Sequence, residues 1–167
     1  MSSKLDLHIL NSRIKDRIAS NWLTPSQQAI VETLRRFDAP PHRVINVYGE
    51  EGTGKSFLGW YLEREGYATY GHYAQIPQPT LPRLLLDDAE SSRPATRALR
   101  PLVEKLGVKQ IILLTRRRVD ENAMPAFELL CTDDDLAHFA ANLYRYFNLV
   151  IPEGSFTNFH AALTPLT

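Results

Sequence analysis

Two residues with clear chemical potential, Lys55 and Ser56, close a glycine-rich run that begins at Gly49. The run fits the pattern G-x-x-x-x-G-K-[ST], in which glycines allow backbone N–H groups to turn towards phosphate oxygens. In this pattern the lysine reaches the β- and γ-phosphates of a nucleotide, and the hydroxyl supplies one ligand to Mg²⁺. We therefore expect the phosphates to be bound by Gly49, Glu50, Glu51, Gly52, Thr53, Gly54, Lys55, Ser56 and Phe57.

A pair of acids, Asp87 and Asp88, directly follows the apolar residues 84–86. Ligands of a parallel sheet bind outside the carboxyl ends of its strands, so acids in this place would face the phosphate loop. We expect Asp87 to hold Mg²⁺ through water, opposite Ser56. We expect Asp88 to polarise the attacking water as a general base, and Glu90 is a second carboxylate that could take its place.

A polar residue, Thr115, ends another apolar run at residues 109–114. At the tip of a strand it could touch the γ-phosphate or the attacking water. Three arginines follow, and they could contact phosphate, an acidic partner or nucleic acid, or lie in a solvated loop beside Asp120 and Glu121. These arginines are Arg116, Arg117 and Arg118. The predicted catalytic residues are Lys55, Asp88 and Thr115.

Strands and helices in alternation must position these residues. Apolar or alternating runs predict strands at residues 44–48, 67–70, 84–86, 109–114 and 127–131. A helix is expected over residues 57–65, with Gly66 as its C-cap, and a proline-spaced loop over residues 71–82. A further helical stretch begins near Ser91 and ends at Gly107, and Pro101 is expected to kink or divide it.

Two helices are predicted before the first strand. Leu7, Leu10, Ile14 and Ile18 are spaced by three and four residues, so they share a helix face that packs on the core or docks a partner. In the second helix, which ends before Pro40 and Pro41, capping residues mark the start. Thr24 is the N-cap, Pro25 the first helical residue and Gln27 the return half of a capping box. Trp22 or Leu23 could cover a nucleotide base or make an ordinary core contact.

The last third of the chain carries a capped helix and a tail. Thr132 and the acids Asp133, Asp134 and Asp135 predict the N-cap and negative first turn of a helix that reaches Phe147. The acids also resemble a metal cluster, but the helix terminus explains them more simply. The one cysteine, Cys131, is expected to be a buried strand thiol and excludes an intrachain disulfide. Residues 148–167 are expected to add an edge strand or to lie across the core.

Composition places the chain among ordinary globular proteins. Its 167 residues are 44% apolar and 23% charged, and nineteen basic side chains balance nineteen acidic ones. The length predicts one domain, with N-terminal helices over residues 1–40, a core over 44–147 and a tail over 148–167. Zero net charge does not support nucleic-acid binding beyond a local patch. Residues 1–6 lack the features of a signal peptide, and no run is long enough for a membrane span, so we expect a cytoplasmic protein.

Taken together, these motifs resemble the additional-strand P-loop NTPases, and among them the AAA+ ATPases. The resemblance covers residues 21–147 and rests on the glycine loop, on the Asp87-Asp88 pair and on the strand ending in Thr115. The acidic pair is similar to that of bacterial replication-initiator ATPases. The resemblance implies an α/β fold of three layers, with a mostly parallel five-stranded sheet in the order 5-1-4-3-2 flanked by helices. It makes Thr115 the sensor-one position.

The chain also departs from that family. About twenty residues follow the last predicted core helix, too few for the usual helical lid and its sensor-two arginine. The connection from Thr115 to Phe127 is short for the helix that presents an arginine finger to a neighbouring subunit. These departures put ring assembly and fast turnover in doubt, because a trans arginine supplies much of the rate.

Three functions fit these observations. The first is an ATP-binding, slowly hydrolysing Mg²⁺-dependent ATPase that acts as a switch on a protein partner. The second is a small P-loop kinase for a metabolite, although its phosphate loop would normally lie nearer the N-terminus. The third is a non-catalytic adaptor that retains the fold, against which the intact Lys55, Ser56 and Asp87 argue. A GTPase is disfavoured because the chain has no [NT]-K-x-D motif for reading guanine.

Overall fold

The centre of the fold is one sheet of five strands: β1 Val44–Tyr48, β2 Thr69–His72, β3 Arg83–Asp87, β4 Gln110–Thr115 and β5 Ala126–Glu128. The computed structural model describes residues 7–37, 43–121, 123–152 and 156–166. The sequence features noted at residues 1–6 and at Pro40 and Pro41, and residues 153–155 of the tail, lie outside these ranges.

All neighbouring strands are parallel, and their order is β2-β3-β4-β1-β5. This is the predicted order 5-1-4-3-2 read from the opposite edge, so the predicted sheet is confirmed. Because β4 lies between β1 and β3, the carboxyl ends of these three strands are adjacent. The sheet order therefore brings the start of the phosphate loop, Asp87 and Thr115 together at the carboxyl-terminal ends of the strands.

Six helices accompany the sheet in the described part of the chain: α1 Leu7–Asp16, α2 Pro25–Arg36, α3 Lys55–Arg64, α4 Arg93–Lys105, α5 Asp133–Phe147 and α6 Phe159–Leu163. Short 3₁₀ turns occur at Ser20–Trp22 and Thr164–Leu166. Thr24 forms the predicted capping box at the start of α2, and Thr132 is the predicted N-cap of α5, where Asp135 completes a capping box that was not predicted. Gly66 and Gly107 follow α3 and α4 with φ of 70° and 67°, which confirms them as helix-ending residues.

Apolar side chains alternate between the two faces of the sheet and make a three-layer core. On one face the strands pack against α2 and α3, and on the other against α4. A third apolar cluster joins α1, α5, α6 and the turn before α2; its buried members are Leu10, Ile14, Trp22, Phe139, Leu143, Phe159 and Leu163. The predicted stripe of α1 thus packs within the molecule.

The last strand is shorter than predicted. The expected strand at residues 127–131 ends at Glu128, although Leu129 N–H still donates to the carbonyl of Tyr48. The strand is short because its partner β1 ends at Tyr48, where the phosphate loop begins. Residues after Leu129 therefore have no neighbouring strand with which to pair. Leu130 is exposed, and Cys131 is a half-buried residue outside the strand rather than a buried strand thiol.

Other boundaries also differ from expectation. Strand β2 includes Gly71 and His72, which were predicted to lie in the loop, because these residues pair with Leu86 and Asp87. Helix α4 continues through Pro101, whose exposed position keeps the free carbonyl one turn earlier on the solvent side. The described part of the tail forms α6 and a 3₁₀ turn and adds no strand to the sheet. None of the described helices has the length and apolar character needed to cross a bilayer.

A buried carboxylate, Asp135, joins the N-termini of two helices. It completes the capping box of α5 by accepting hydrogen bonds from the backbone N–H and hydroxyl of Thr132, each at 2.8 Å. It also accepts from the N–H and hydroxyl of Ser26, in the first turn of α2, at 2.8 and 2.6 Å. Burial alone would raise the pKa of Asp135, but these hydrogen bonds outweigh it and hold the pKa below its usual value.

Replacement of Asp135 by asparagine should destabilise the protein by about 2–4 kcal/mol, because hydrogen bonds to a buried charge are lost and an amide N–H₂ faces other donors. The matched control is Asp134→Asn, which removes an exposed charge from the same helical turn. Urea unfolding of the two variants and the parent measures the difference. Equal stabilities for the two variants would contradict a linking role for Asp135.

The same pair of proteins predicts a pH dependence. A carboxyl whose folded pKa is depressed stabilises the fold above its unfolded pKa, about 3.9 for Asp, and loses this contribution as the pH falls through the folded value. The gap in unfolding free energy between parent and Asp135→Asn should therefore be full at pH 7 and shrink below about pH 4. Urea midpoints measured from pH 7 to pH 3 check this trend, and a gap that widens in acid would contradict it.

Candidate nucleotide-binding site

The glycine loop between β1 and α3 has a backbone that only glycine accommodates readily. Gly52 and Gly54 have φ of 80° and 89°, in the left-handed region. A Cβ at Gly54 would lie 2.5 Å from Nε2 of Gln27, and one at Gly52 would lie 2.7 Å from Oδ1 of Asn158. The loop is thus shaped by its own dihedral angles and by close neighbours on both sides.

Two segments distant in sequence hold this loop. Gln27 donates from Nε2 to the carbonyl of Gly54 at 3.1 Å, while its Oε1 accepts the N–H of Thr24. On the other side the N–H of Phe159, at the start of α6, donates to the carbonyl of Gly52 at 3.0 Å. The capping pattern identified Gln27 as a helix residue but not as a loop contact. No sequence signal pointed to Phe159.

Lys55 folds back over the loop. Its Nζ donates to the carbonyl oxygens of Gly49 at 2.5 Å and Glu50 at 2.8 Å. Burial lowers the pKa of Lys55, and the nearby Asp87 carboxylate opposes that shift. An ammonium group held by carbonyls at this point can exchange them for phosphate oxygens, which are stronger acceptors.

The predicted Mg²⁺ ligand Asp87 is almost completely buried, with 2% of its surface exposed. Its Oδ2 accepts the hydroxyl of Tyr70 at 2.5 Å, and its Oδ1 accepts the N–H of Asp88 at 2.9 Å. Burial raises the pKa of Tyr70, and the hydrogen bond to Asp87 raises it further, so this phenol is a hydrogen-bond donor at neutral pH. Sequence reasoning placed Tyr70 in a strand but assigned it no site role.

The predicted general base Asp88 is exposed and has φ of 52°, an uncommon backbone conformation for a residue other than glycine. Its Oδ2 lies 3.4 Å from Nδ1 of His72 at the end of β2. Strand β2 therefore supplies one polar neighbour to each of the two acids. His72 was expected to lie in a loop, so its contact with Asp88 was missed.

Thr115 lies at the correct sheet edge, but its hydroxyl is engaged elsewhere. It accepts from Nδ2 of the buried Asn46 at 2.8 Å and donates to the carbonyl of Arg117 at 2.7 Å. Oδ1 of Asn46 also accepts the N–H of Val119, so this group braces the connection from β4 to β5. Thr115 does not line the cavity described below, and its placement does not support the predicted contact with the γ-phosphate.

Among the three arginines of that connection, Arg116 reaches the phosphate loop. Its Nη2 lies 2.8 Å from Oε2 of Glu51, and both side chains are largely exposed. Arg116 lines the same cavity as the loop, whereas Arg117 and Arg118 do not. The structure thus distinguishes between three residues that the sequence left equivalent.

The loop, the acids and Arg116 surround a cavity of about 380 Å³. This volume is in the range of small-molecule sites, roughly 300–1,000 Å³. Of the nine residues predicted to bind phosphates, those that line it are Glu51, Gly52, Gly54, Lys55, Ser56 and Phe57. Gly49, Glu50 and Thr53 shape the loop from behind it; Thr53, for example, donates from its hydroxyl to the carbonyl of Glu50 at 3.0 Å.

The remaining cavity wall is mostly apolar and comes from α1, from the start of α2 and the turn before it, and from α3, α5 and α6. Its apolar members are Leu7, Ile14, Trp22, Trp60, Phe139, Phe159 and Leu163, and its polar members are Asn11, Thr24, Gln27 and His160. Trp22 is buried and stacks on Tyr146 at 5.2 Å between ring centroids, so it is both a core residue and a wall of the cavity.

The donor groups suit a nucleotide and a hard cation. Lys55 and Arg116 offer positive charge, while the Ser56 hydroxyl and Asp87 carboxylate are oxygen ligands of the kind that Mg²⁺ prefers. Away from this polar end, aromatic side chains provide surfaces on which a planar base can pack.

Burial raises the pKa of the Cys131 thiol to about 11, so it lacks the thiolate form that a catalytic cysteine requires.

No known protein family matches this chain, and no curated protein matches its sequence. Solved structures do match it. Replication initiator DnaA bound to AMPPCP and single-stranded DNA aligns with a TM-score of 0.58 and 16% identity, over 86% of this chain and 61% of that one. A DNA replication initiation factor aligns with a TM-score of 0.61 and 14% identity, over 91% of this chain and 62% of that one.

A third match is AMPPCP-bound DnaA from Aquifex aeolicus, with a TM-score of 0.51 and 18% identity, over 78% of this chain and 55% of that one. The chain therefore spans between 55% and 62% of the length of these structures. Identities this low establish the fold alone. This chain has an α/β fold, with a five-stranded parallel sheet between helices, that is similar to the fold of these replication-initiator structures.

Proposed function

We propose that the protein binds ATP with Mg²⁺ in this cavity, hydrolyses it slowly and acts as a nucleotide-dependent switch on a protein partner. The supporting observation is the convergence of Lys55, Ser56, Asp87, Asp88 and Arg116 around one cavity with an apolar far wall. Two of the structurally similar initiators were determined with AMPPCP, an ATP analogue, which agrees with this choice of ligand.

In this proposal the residues divide the work of phosphoryl transfer. Lys55 exchanges the carbonyls of Gly49 and Glu50 for phosphate oxygens, and Ser56 and Asp87 hold Mg²⁺, which neutralises charge on the phosphates when bound. Asp88 orients the attacking water and accepts its proton. Arg116 leaves Glu51 for the phosphates, because a triphosphate carries more negative charge than one carboxylate.

The switch part of the proposal rests on what surrounds the cavity. Gly52 is hydrogen-bonded to Phe159, and Gly54 is hydrogen-bonded to Gln27. If the loop backbone moves when phosphates bind, these hydrogen bonds transmit the movement to α2 and α6. Both helices carry exposed residues, such as Glu32 of α2 and His160 of α6, so they offer a route by which nucleotide occupancy changes the surface.

Substitution of Lys55 by alanine should weaken ATP binding by about 10- to 100-fold, the loss expected when hydrogen bonds from a charged group to phosphate disappear. Isothermal titration calorimetry with ATP and with GTP, each with Mg²⁺, measures this. The control is Lys105→Ala, in the last turn of α4 on the opposite face of the sheet, which should bind as the parent does. If the parent protein binds neither ATP nor GTP, the proposed nucleotide binding is wrong.

Substitution of Asp88 by asparagine should lower ATP hydrolysis by about 10²-fold or more and leave ATP affinity within about threefold, because the water loses its base while the phosphate contacts remain. Release of inorganic phosphate measures the rate. The comparison variant is Glu90→Gln, the other carboxylate that could act as the base. If Asp88→Asn hydrolyses ATP as fast as the parent, the general-base role is wrong, and loss of activity in Glu90→Gln alone would move the role to Glu90.

A further inference from the structure

Tyr70 is held rigidly beside the metal-binding end of the predicted site. Its hydroxyl donates to Oδ2 of Asp87 at 2.5 Å. Its ring packs on Gly59 of α3, where an added Cβ would lie 2.6 Å from Cε2 of the ring and 3.2 Å from Leu85. The absence of a side chain at Gly59 therefore makes room for the ring, and strand β2 and helix α3 together fix the direction in which the hydroxyl points.

The carboxylate of Asp87 has little freedom as a result. Each of its oxygens accepts one hydrogen bond, Oδ2 from Tyr70 and Oδ1 from the N–H of Asp88. Because only 2% of Asp87 is exposed, these two donors take the place of water at its carboxylate. Each oxygen can accept a second interaction, so both keep a lone pair for a cation or its bound water.

We infer that Tyr70 is a positioning residue for the Mg²⁺ site: its phenol orients the Asp87 carboxylate so that Asp87 and Ser56 hold one cation together. The inference rests on the proposed nucleotide function and adds a residue that acts through Asp87 without touching phosphate or metal. Hydrogen-bonding partners of metal ligands fix ligand orientation and basicity, and their loss costs about 10- to 100-fold in metal affinity.

The test is the Mg²⁺ dependence of AMPPCP binding in Tyr70→Phe, which keeps the ring and removes the hydroxyl. AMPPCP is titrated at increasing Mg²⁺, and the Mg²⁺ concentration that gives half of the affinity gain is compared with that of the parent. We expect this concentration to rise by about 10- to 100-fold. AMPPCP affinity without metal should remain within about twofold, since Tyr70 does not line the cavity and its loss removes no phosphate contact.

Two further variants separate positioning from general stability. Tyr67→Phe removes a hydroxyl that donates to the carbonyl of Leu34 at 3.0 Å, on the same face of the sheet but away from Asp87, and it should keep the parental Mg²⁺ requirement. In an Asp87→Asn background, Tyr70→Phe should add little further loss, because its effect passes through the missing carboxylate.

The possible results are distinguishable. An unchanged or lower Mg²⁺ requirement in Tyr70→Phe overturns the inference, as does an equal rise in Tyr67→Phe or a full additional loss in the Asp87→Asn background. A parent that binds AMPPCP equally well with and without Mg²⁺ also overturns it but leaves nucleotide binding in place. A parent that binds no AMPPCP under any condition removes the proposed function and this inference together.

Discussion

The buried carboxylate of Asp135 is the interaction on which the arrangement of the site depends. It lies at the positive N-terminal ends of both α2 and α5, accepting hydrogen bonds from Ser26 and from Thr132. One residue after Ser26, Gln27 donates to the carbonyl of Gly54 in the phosphate loop. A negative charge more than a hundred residues away in sequence thus sets the position of the helix that supports the loop.

The support of the loop and the support of the acids come from different parts of the fold. Helices α2 and α6 contact the loop at Gly54 and Gly52, whereas strand β2 contacts Asp87 and Asp88 through Tyr70 and His72. The phosphate loop with Lys55 is thus held on one side of the cavity, and the carboxylates of Asp87 and Asp88 are held on the other. In the proposed function, nucleotide and cation join these two halves, and this is the physical basis for coupling their occupancy to α2 and α6.

Much of the fold followed from local patterns and from the family resemblance. Thr24 and Thr132 marked two helix starts, because a capping box in one case and an N-cap with an acidic first turn in the other lie within four consecutive residues. The order of the strands came from the resemblance rather than from periodicity. The shorter last strand was missed because its length depends on where β1 stops, and Cys131 was misplaced for the same reason.

In the candidate site, too, some features followed from local sequence motifs and others depended on tertiary contacts. Lys55, Ser56 and Asp87 line the cavity as their motifs implied, since a glycine loop and an acid at a strand end carry their geometry with them. For Thr115 the motif gave the sheet edge but not the direction of the hydroxyl, which turns to Asn46. Arg116 became distinct from its two neighbours only through its position opposite Glu51.

The amino-acid sequence by itself determined the phosphate loop, the acidic pair, the helix caps and the apolar runs that become parallel strands. Each of these is a short-range property, because backbone dihedral angles, hydrogen bonds within one turn and side-chain periodicity act over a few residues. Tertiary structure alone decided that Tyr70 orients Asp87, that Phe159 holds Gly52 and that Asp135 ties α2 to α5. These contacts join residues far apart in the chain, and they form only when packing of the apolar layers brings their elements together.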